Sequence, residues 1–370
     1  MTKTGDPIIV SAVEGGGTSF VVAVAELSAG KPKILHRQEV DSSHDNPRQT
    51  LAECATFFEK HKPEGGYHAL GIASFGPVGV NEKNEATYGC ILATTPKATW
   101  RNVNLLEPLR KICQGSKRPL KVKVDTDVNA PALAEFLSSE EDISSLAYIT
   151  CGTGVGVGLV IDGQCVHGRM HPEAGHVPVQ PLDGDDFKGY SWGTSTSPFR
   201  GVHTVEGIAS SVALTERLQQ LKGSEEKLNR SVLGDLPDDH ELWDHAANAL
   251  ANLCVTLLLT VSIERIVLGG GVLKRTGLMA KIRTRTVELL NGYLELPRDM
   301  STLICSPHYG ETVGLMGAII LAEQSLEEEV NDKKTTDREK MYFGHGIWHG
   351  MIIGAVAAVA TMALTRRYKM

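Results

Sequence analysis

Short runs of β-branched and apolar residues recur along the chain at 8–13, 20–25, 69–74, 122–125, 146–150 and 265–268, a length that suits buried strands. Between them lie segments in which apolar side chains return every three or four positions, predicting helices over 47–61, 128–137, 206–221, 240–262 and 278–293. Strands alternating with helices predict an α/β fold. Many of the 38 glycines stand at the ends of the apolar runs, where strands turn into ligand-facing loops.

The pattern breaks near Ser325. Ten of the 14 residues 327–340 are charged, too polar a stretch to fold alone, and predict a linker over 326–342. Residues 347–364 then carry no formal charge for 18 positions and end at Arg366, Arg367 and Lys369. As a helix they would span about 27 Å, close to the thickness of a bilayer's hydrocarbon core. A C-terminal transmembrane helix over 343–370 is therefore expected, with the folded body in the cytosol. Its short apolar core and basic end place the mitochondrial outer membrane ahead of the endoplasmic reticulum. Gly346, Gly350, Gly354 and Ala358 would form one ridge on that helix, through which two copies could pair as a homodimer. The N-terminal residues carry no apolar stretch long enough for a secretory signal.

Composition narrows the function. The 370 residues are 42% hydrophobic and 22% charged, with 44 acidic against 37 basic side chains, a net charge of −7. No cationic surface stands ready for a phosphate backbone, so nucleic acid is not an expected partner. The seven cysteines are scattered without a CxxC pair, as expected of reduced thiols.

Three glycine loops carry candidate chemistry. Val13-Glu14-Gly15-Gly16-Gly17-Thr18 and Thr150-Cys151-Gly152-Thr153-Gly154-Val155-Gly156 each join one strand to the next through a hydroxyl and a glycine turn. Such turns present backbone N–H groups to phosphate oxygens. Gly269-Gly270-Gly271 follows a strand and precedes a helix, allowing close approach of a flat ligand. None matches a Walker loop or a Rossmann fingerprint. Val124-Asp125-Thr126-Asp127-Val128-Asn129 runs from a strand end into a helix. Either aspartate there suits a plain N-cap, or a carboxylate beside a cleft. His171-Pro-Glu173-Ala-Gly-His176 and Glu206 would supply acceptors for a polyhydroxylated ligand.

These motifs, with Ser74-Phe-Gly-Pro-Val78, Thr94-Thr95-Pro-Lys97 and Leu268-Gly-Gly-Gly-Val272, stand in the order found in the ROK family, and the chain resembles its bacterial-type fructokinase branch over roughly 8–322. The resemblance implies a two-lobed actin-like ATPase (ribonuclease H-like) fold. One lobe would comprise 1–126 completed by 306–325, the other 127–305. It also implies ATP, Mg2+ and a hexose, with fructose first. Asp127 would be the general base for the 6-hydroxyl, with Thr95, Lys97, Asn129, Glu173, His176 and Glu206 around the sugar. Gly16, Gly17, Thr18, Gly152, Thr153 and Gly154 would cradle phosphates, Gly270 and Gly271 would back the adenine, and Glu14 would reach Mg2+ through water.

Two departures stand out. Ser19 occupies the place of a usual lysine. The family's structural zinc uses the histidine of a Gly-His pair and three later Cys or His residues, whereas only His176 and His203 remain here. No zinc is therefore expected, leaving Trp192 and Phe199 to hold the loop by packing. Glucose, mannose or an N-acetylhexosamine could replace fructose, and a membrane-tethered sugar sensor without turnover is the non-catalytic alternative. The seven residues ahead of the first strand leave no room for a DNA-binding module.

Overall fold

In the computed structural model, residues 7–28, 32–42, 46–191, 195–223 and 227–327 are described. Five strands make the first sheet: β1 (Ile8–Gly15), β2 (Ser19–Leu27), β3 (Lys33–Asp41), β4 (Ala69–Ser74) and β5 (Lys121–Thr126), in the order β3-β2-β1-β4-β5. β1 to β3 form an antiparallel meander, while β4 and β5 run parallel to β1. Every residue of β4 is buried, as suits a strand covered on both faces. Helices α1 (Pro47–Lys60) and α2 (Leu106–Cys113) contribute Phe57, Phe58 and Leu109 to a core shared with Phe20, Tyr67 and Trp100.

The second sheet contains β6 (Ser145–Cys151), β7 (Val155–Ile161), β8 (Gln164–Cys165), β9 (Arg265–Gly269) and β10 (Ile304–Cys305), in the order β10-β9-β6-β7-β8. It repeats the first: an antiparallel meander, then two strands parallel to the meander's opening strand. The chain is thus built on two copies of one sheet plan, with no repeat legible in its residues. Helix α3 (Asn129–Leu137) follows β5 and packs against β6, β7 and β8. By contacts the two sheets belong to one compact unit that ends at Glu323.

The second core is covered by α4 (Val205–Ala209), α5 (Ser211–Lys222), α6 (Leu242–Val261) and α7 (Leu278–Leu290). The single helix expected over 206–221 is two. Ser210 leaves the helical conformation, and its hydroxyl accepts from Ala213 N–H at 3.2 Å to cap α5, so a new helix starts there. α6 is long and apolar enough to cross a membrane, yet more than half of it is buried in this core, which is why it is apolar. A last helix, α8, runs from residue 313 to 327. Its backbone lies so near β4 that a Cβ on Gly71 would sit 1.9 Å from the Ala318 carbonyl oxygen. The residues expected to form a membrane segment with a helix-pairing ridge, and nearly all of the expected charged linker, lie outside the described residues.

Candidate active site

β1, β4 and β5 are parallel, so their C-terminal ends share one edge of the first sheet, where open α/β sheets bind ligands. Register fixes what meets there. Gly15 pairs with Ser74 and Ser74 with Thr126, while Phe75 N–H donates to Gly15 O at 2.8 Å and Asp127 N–H to Ser74 O at 2.9 Å. Two strand spacings separate β1 from β5, so Asp127 lies about 10 Å from the base of the first glycine hairpin. α3 then begins two residues on, its Asn129 N–H donating to Thr126 Oγ1 at 2.9 Å.

Three carboxylates in this cleft lose water, and the charge of Asp127 acts on the other two. Burial raises Asp127 to about 6, against the opposing pull of its own backbone N–H and of Lys97. Glu14 reaches about 7, first through burial, then through the charges of Asp127 and Glu39, with Arg37 and the Leu315 backbone opposing. Its carboxylate fills the space beside Gly314 of α8, where a Cβ would lie 2.0 Å from Oε1. Glu173 also rises to about 7, through burial and the charges of Glu206 and Asp127. Lys97 donates to Gly17 O at the tip of the first hairpin and stands 4.2 Å above the Phe75 ring. One ammonium thus joins the hairpin to the side of the cleft holding Thr95 to Lys97. Thr95 itself is fully buried, its hydroxyl donating to Gly76 O at 3.1 Å.

The loop 171–176 is locked across to the strand end 76–78. His171, buried and held neutral by burial, accepts Val78 N–H on Nε2 at 3.2 Å. Its proton is then on Nδ1, which faces Pro172 O at 3.4 Å and Glu173 Oε1 at 3.5 Å. The motif containing His171 was visible in sequence, but its contact 93 residues away was not. His176 Nε2 lies 3.9 Å from Glu173 Oε2. Glu206 accepts Val155 N–H at 3.0 Å and the Ser191 hydroxyl at 2.6 Å, so it fastens the second glycine hairpin to the 188–191 strap. Asn129 is not brought to the cleft. It is fully buried, donating to Asp125 Oδ1 at 2.9 Å and accepting Leu159 N–H at 3.2 Å, and so ties β5 to β7.

The C-terminal ends of β6 and β9 bring the other two glycine loops together. Gly270 has φ 95°, a left-handed conformation, and passes against the Cys151 carbonyl. Gly152, Thr153 and Gly271 line a cavity of about 550 Å³ with Arg230, Lys274, Arg275 and Trp243. Gly16, Gly17 and Thr18 form the turn of the first hairpin, with Gly16 N–H donating to Ser19 O at 2.9 Å.

Two parallel-sheet edges carry glycine hairpins, and the half-buried carboxylate of Asp127 stands at the end of the first sheet. The sequence matches the ROK family across residues 10–325. The chain belongs to the ROK family. It is 34% identical over 325 residues to the fructokinase of Zymomonas mobilis, covering 86% of this chain and 97% of that protein. It is 31% identical over 321 residues to the fructokinase of Pediococcus pentosaceus, covering 86% and 99%. The fold is similar to that of a ROK glucokinase from Streptomyces griseus solved with glucose and AMPPNP, at TM-score 0.63 and 23% identity, covering 86% and all of that chain.

The family's zinc does not suit this member. The sequence has no cysteine between Cys165 and Cys254, so His176 and His203 are the ligands left from the set that the resemblance implies. Among the described residues, His176 Nδ1 and His203 Nε2 are buried without a hydrogen-bond partner. Two imidazoles among serines and an arginine lack the four soft or nitrogen donors of a structural zinc. Phe199 does not hold the loop by packing as expected, being 64% exposed, and Trp192 lies outside the described residues. Backbone bonds hold it instead: His203 N–H to Lys188 O at 2.8 Å, Val179 N–H to His203 O at 2.7 Å and Tyr190 N–H to Gly207 O at 2.7 Å.

Proposed function

We propose that this ROK chain is an ATP-dependent hexose kinase that phosphorylates fructose on its 6-hydroxyl, with Asp127 as the general base. The observation that carries the proposal is Asp127 itself, a carboxylate raised to about 6, close to Glu14 and two strand spacings from the first glycine hairpin. A base of that affinity is ionised at neutral pH and still accepts a proton as the sugar oxygen attacks. The O–H proton passes to Asp127, the sugar oxygen bonds to the γ-phosphorus, and the bond to ADP breaks. Positioning of the hydroxyl matters more than basicity in such a transfer.

Glu173 and His176 would hold sugar hydroxyls, with Glu206 and Thr95 shaping the walls and Lys97 closing the first hairpin over the ligand. The N–H groups of Gly16, Gly17, Gly152 and Gly154 and the hydroxyls of Thr18 and Thr153 would meet phosphates, and Gly270 and Gly271 the adenine. Glu14 and Asp127 fit a divalent cation: burial pushes both carboxylates up, and the charge of Asp127 pushes Glu14 up further, which a cation relieves. When bound, Mg2+ would neutralise phosphate charge.

Fructose is favoured by identity to the two fructokinases, and glucose by the likeness to the glucose-bound ROK structure. A coupled assay with ATP across fructose, glucose, mannose and N-acetylmannosamine tests the substrate. Turnover highest on fructose is expected. Turnover on none, with tight binding of one, would favour the sensor. Residues 343–370 are proposed to tether the enzyme to a membrane, which carbonate extraction with and without them tests; an unchanged soluble fraction would contradict it.

A further inference from the structure

At the first phosphate hairpin Ser19 stands where the resemblance leads one to expect lysine, and the cation there is Lys97, whose ammonium is held by Gly17 O. The second hairpin has one that no motif announced. Arg230 opens the short 3-10 turn Arg230–Leu233, and its Nη1 donates to Thr153 Oγ1 at 2.7 Å. Accepting that bond turns the threonine's own O–H outward, so that a donor and a cation stand together at the hairpin tip. Both residues line the 550 Å³ cavity.

Three cationic side chains line this cavity, and two are already spent. Lys274 pairs with Glu311. Arg275 donates to Asp238 at 2.9 Å and to the carbonyls of Leu233 and Leu236 at 2.6 and 2.8 Å, with its guanidinium 4.5 Å over the Trp243 ring. Trp243 in turn donates to Pro237 O at 2.9 Å. The strap 230–238 is therefore pinned at its far end, and Arg230 is carried on a fixed turn. Among the described residues Arg230 has no carboxylate partner. A guanidinium held beside a glycine hairpin by a neutral hydroxyl is placed for an anion.

We infer that Arg230 binds the phosphate groups of the nucleotide, supplying positive charge at the second hairpin. The inference rests on the assignment of this cavity to ATP. It places a fork of N–H donors next to Thr153, where developing negative charge on the leaving nucleotide would be met.

Isothermal titration of the full-length protein with ADP and with adenosine, both with Mg2+, tests it in the wild type, Arg230→Ala and Arg230→Lys. Arg230→Ala is expected to weaken ADP by about tenfold or more and to leave adenosine unchanged, since a charge-assisted bond to phosphate is lost. Arg230→Lys is expected to recover part of the ADP affinity. In steady state the KM for ATP rises while that for the hexose stays. Unchanged ADP affinity and KM in Arg230→Ala would overturn this inference alone, as would an equal loss for adenosine, which would mean that Arg230 only shapes the pocket. A wild type that binds neither ADP nor adenosine would overturn the assignment of the cavity to ATP, and this inference with it.

Discussion

Burial and Lys97 act on Asp127 in opposite directions, the first raising its proton affinity and the second lowering it. The acid limb of kcat/KM is therefore expected near pH 6, since the base must be ionised in the free enzyme. Lys97→Met removes the opposing charge and moves the limb to higher pH; a limb that stays in place would detach Lys97 from the base. Glu14, at about 7, affects stability as well. The folded chain keeps protons there that the unfolded chain releases near 4.5, so stability is fully present below that value and declines as pH rises towards 7. Glu14→Gln is expected to flatten the fall in Tm between pH 5 and 7, and an unchanged slope would contradict the assignment. Sequence placed Glu14, Asp127 and Glu173 through short motifs whose residues are neighbours in the chain. It did not place His171 on Val78 or Arg230 on Thr153, because those contacts span 93 and 77 residues and follow only from how the loops fold back.

At the scale of elements, α8 sets the position of Glu14. A Cβ on Gly314 would meet the Glu14 carboxylate at 2.0 Å, and that carboxylate is the free end of a side chain, so it moves and the helix does not. Gly314→Ala is expected to lower kcat by roughly tenfold or more while Tm shifts by no more than a few degrees, read by kinetics and calorimetry on one preparation. A large fall in Tm with kcat intact would show that the helix yields instead. Strands with buried side chains on both faces, such as β4, were legible as apolar runs. β3 was not, because seven of its nine residues are exposed and its side chains are mostly polar, as befits the sheet's edge. The break at Ser210 was hidden because apolar spacing continues through it and only the hydroxyl's capping bond marks the new start.

For the whole molecule, two sheets of one plan each place glycine hairpins at the C-terminal ends of their strands, and the chain between β5 and α3 carries Asp127. The duplication was illegible in residues because burial and hydrogen bonding constrain strand order and hairpins, leaving most side chains free to differ. The family resemblance supplied the candidate site residues as a set, while the geometry separates Asn129, which braces the sheets, from the others. The central claim is that Asp127 takes the sugar's proton, and the direct measurement is kcat of Asp127→Asn with ATP and fructose, alongside the fructose Kd. A fall in kcat on the order of 10² to 10⁴ is expected, with the Kd within about twofold of wild type. A variant that keeps most of its kcat would contradict the claim.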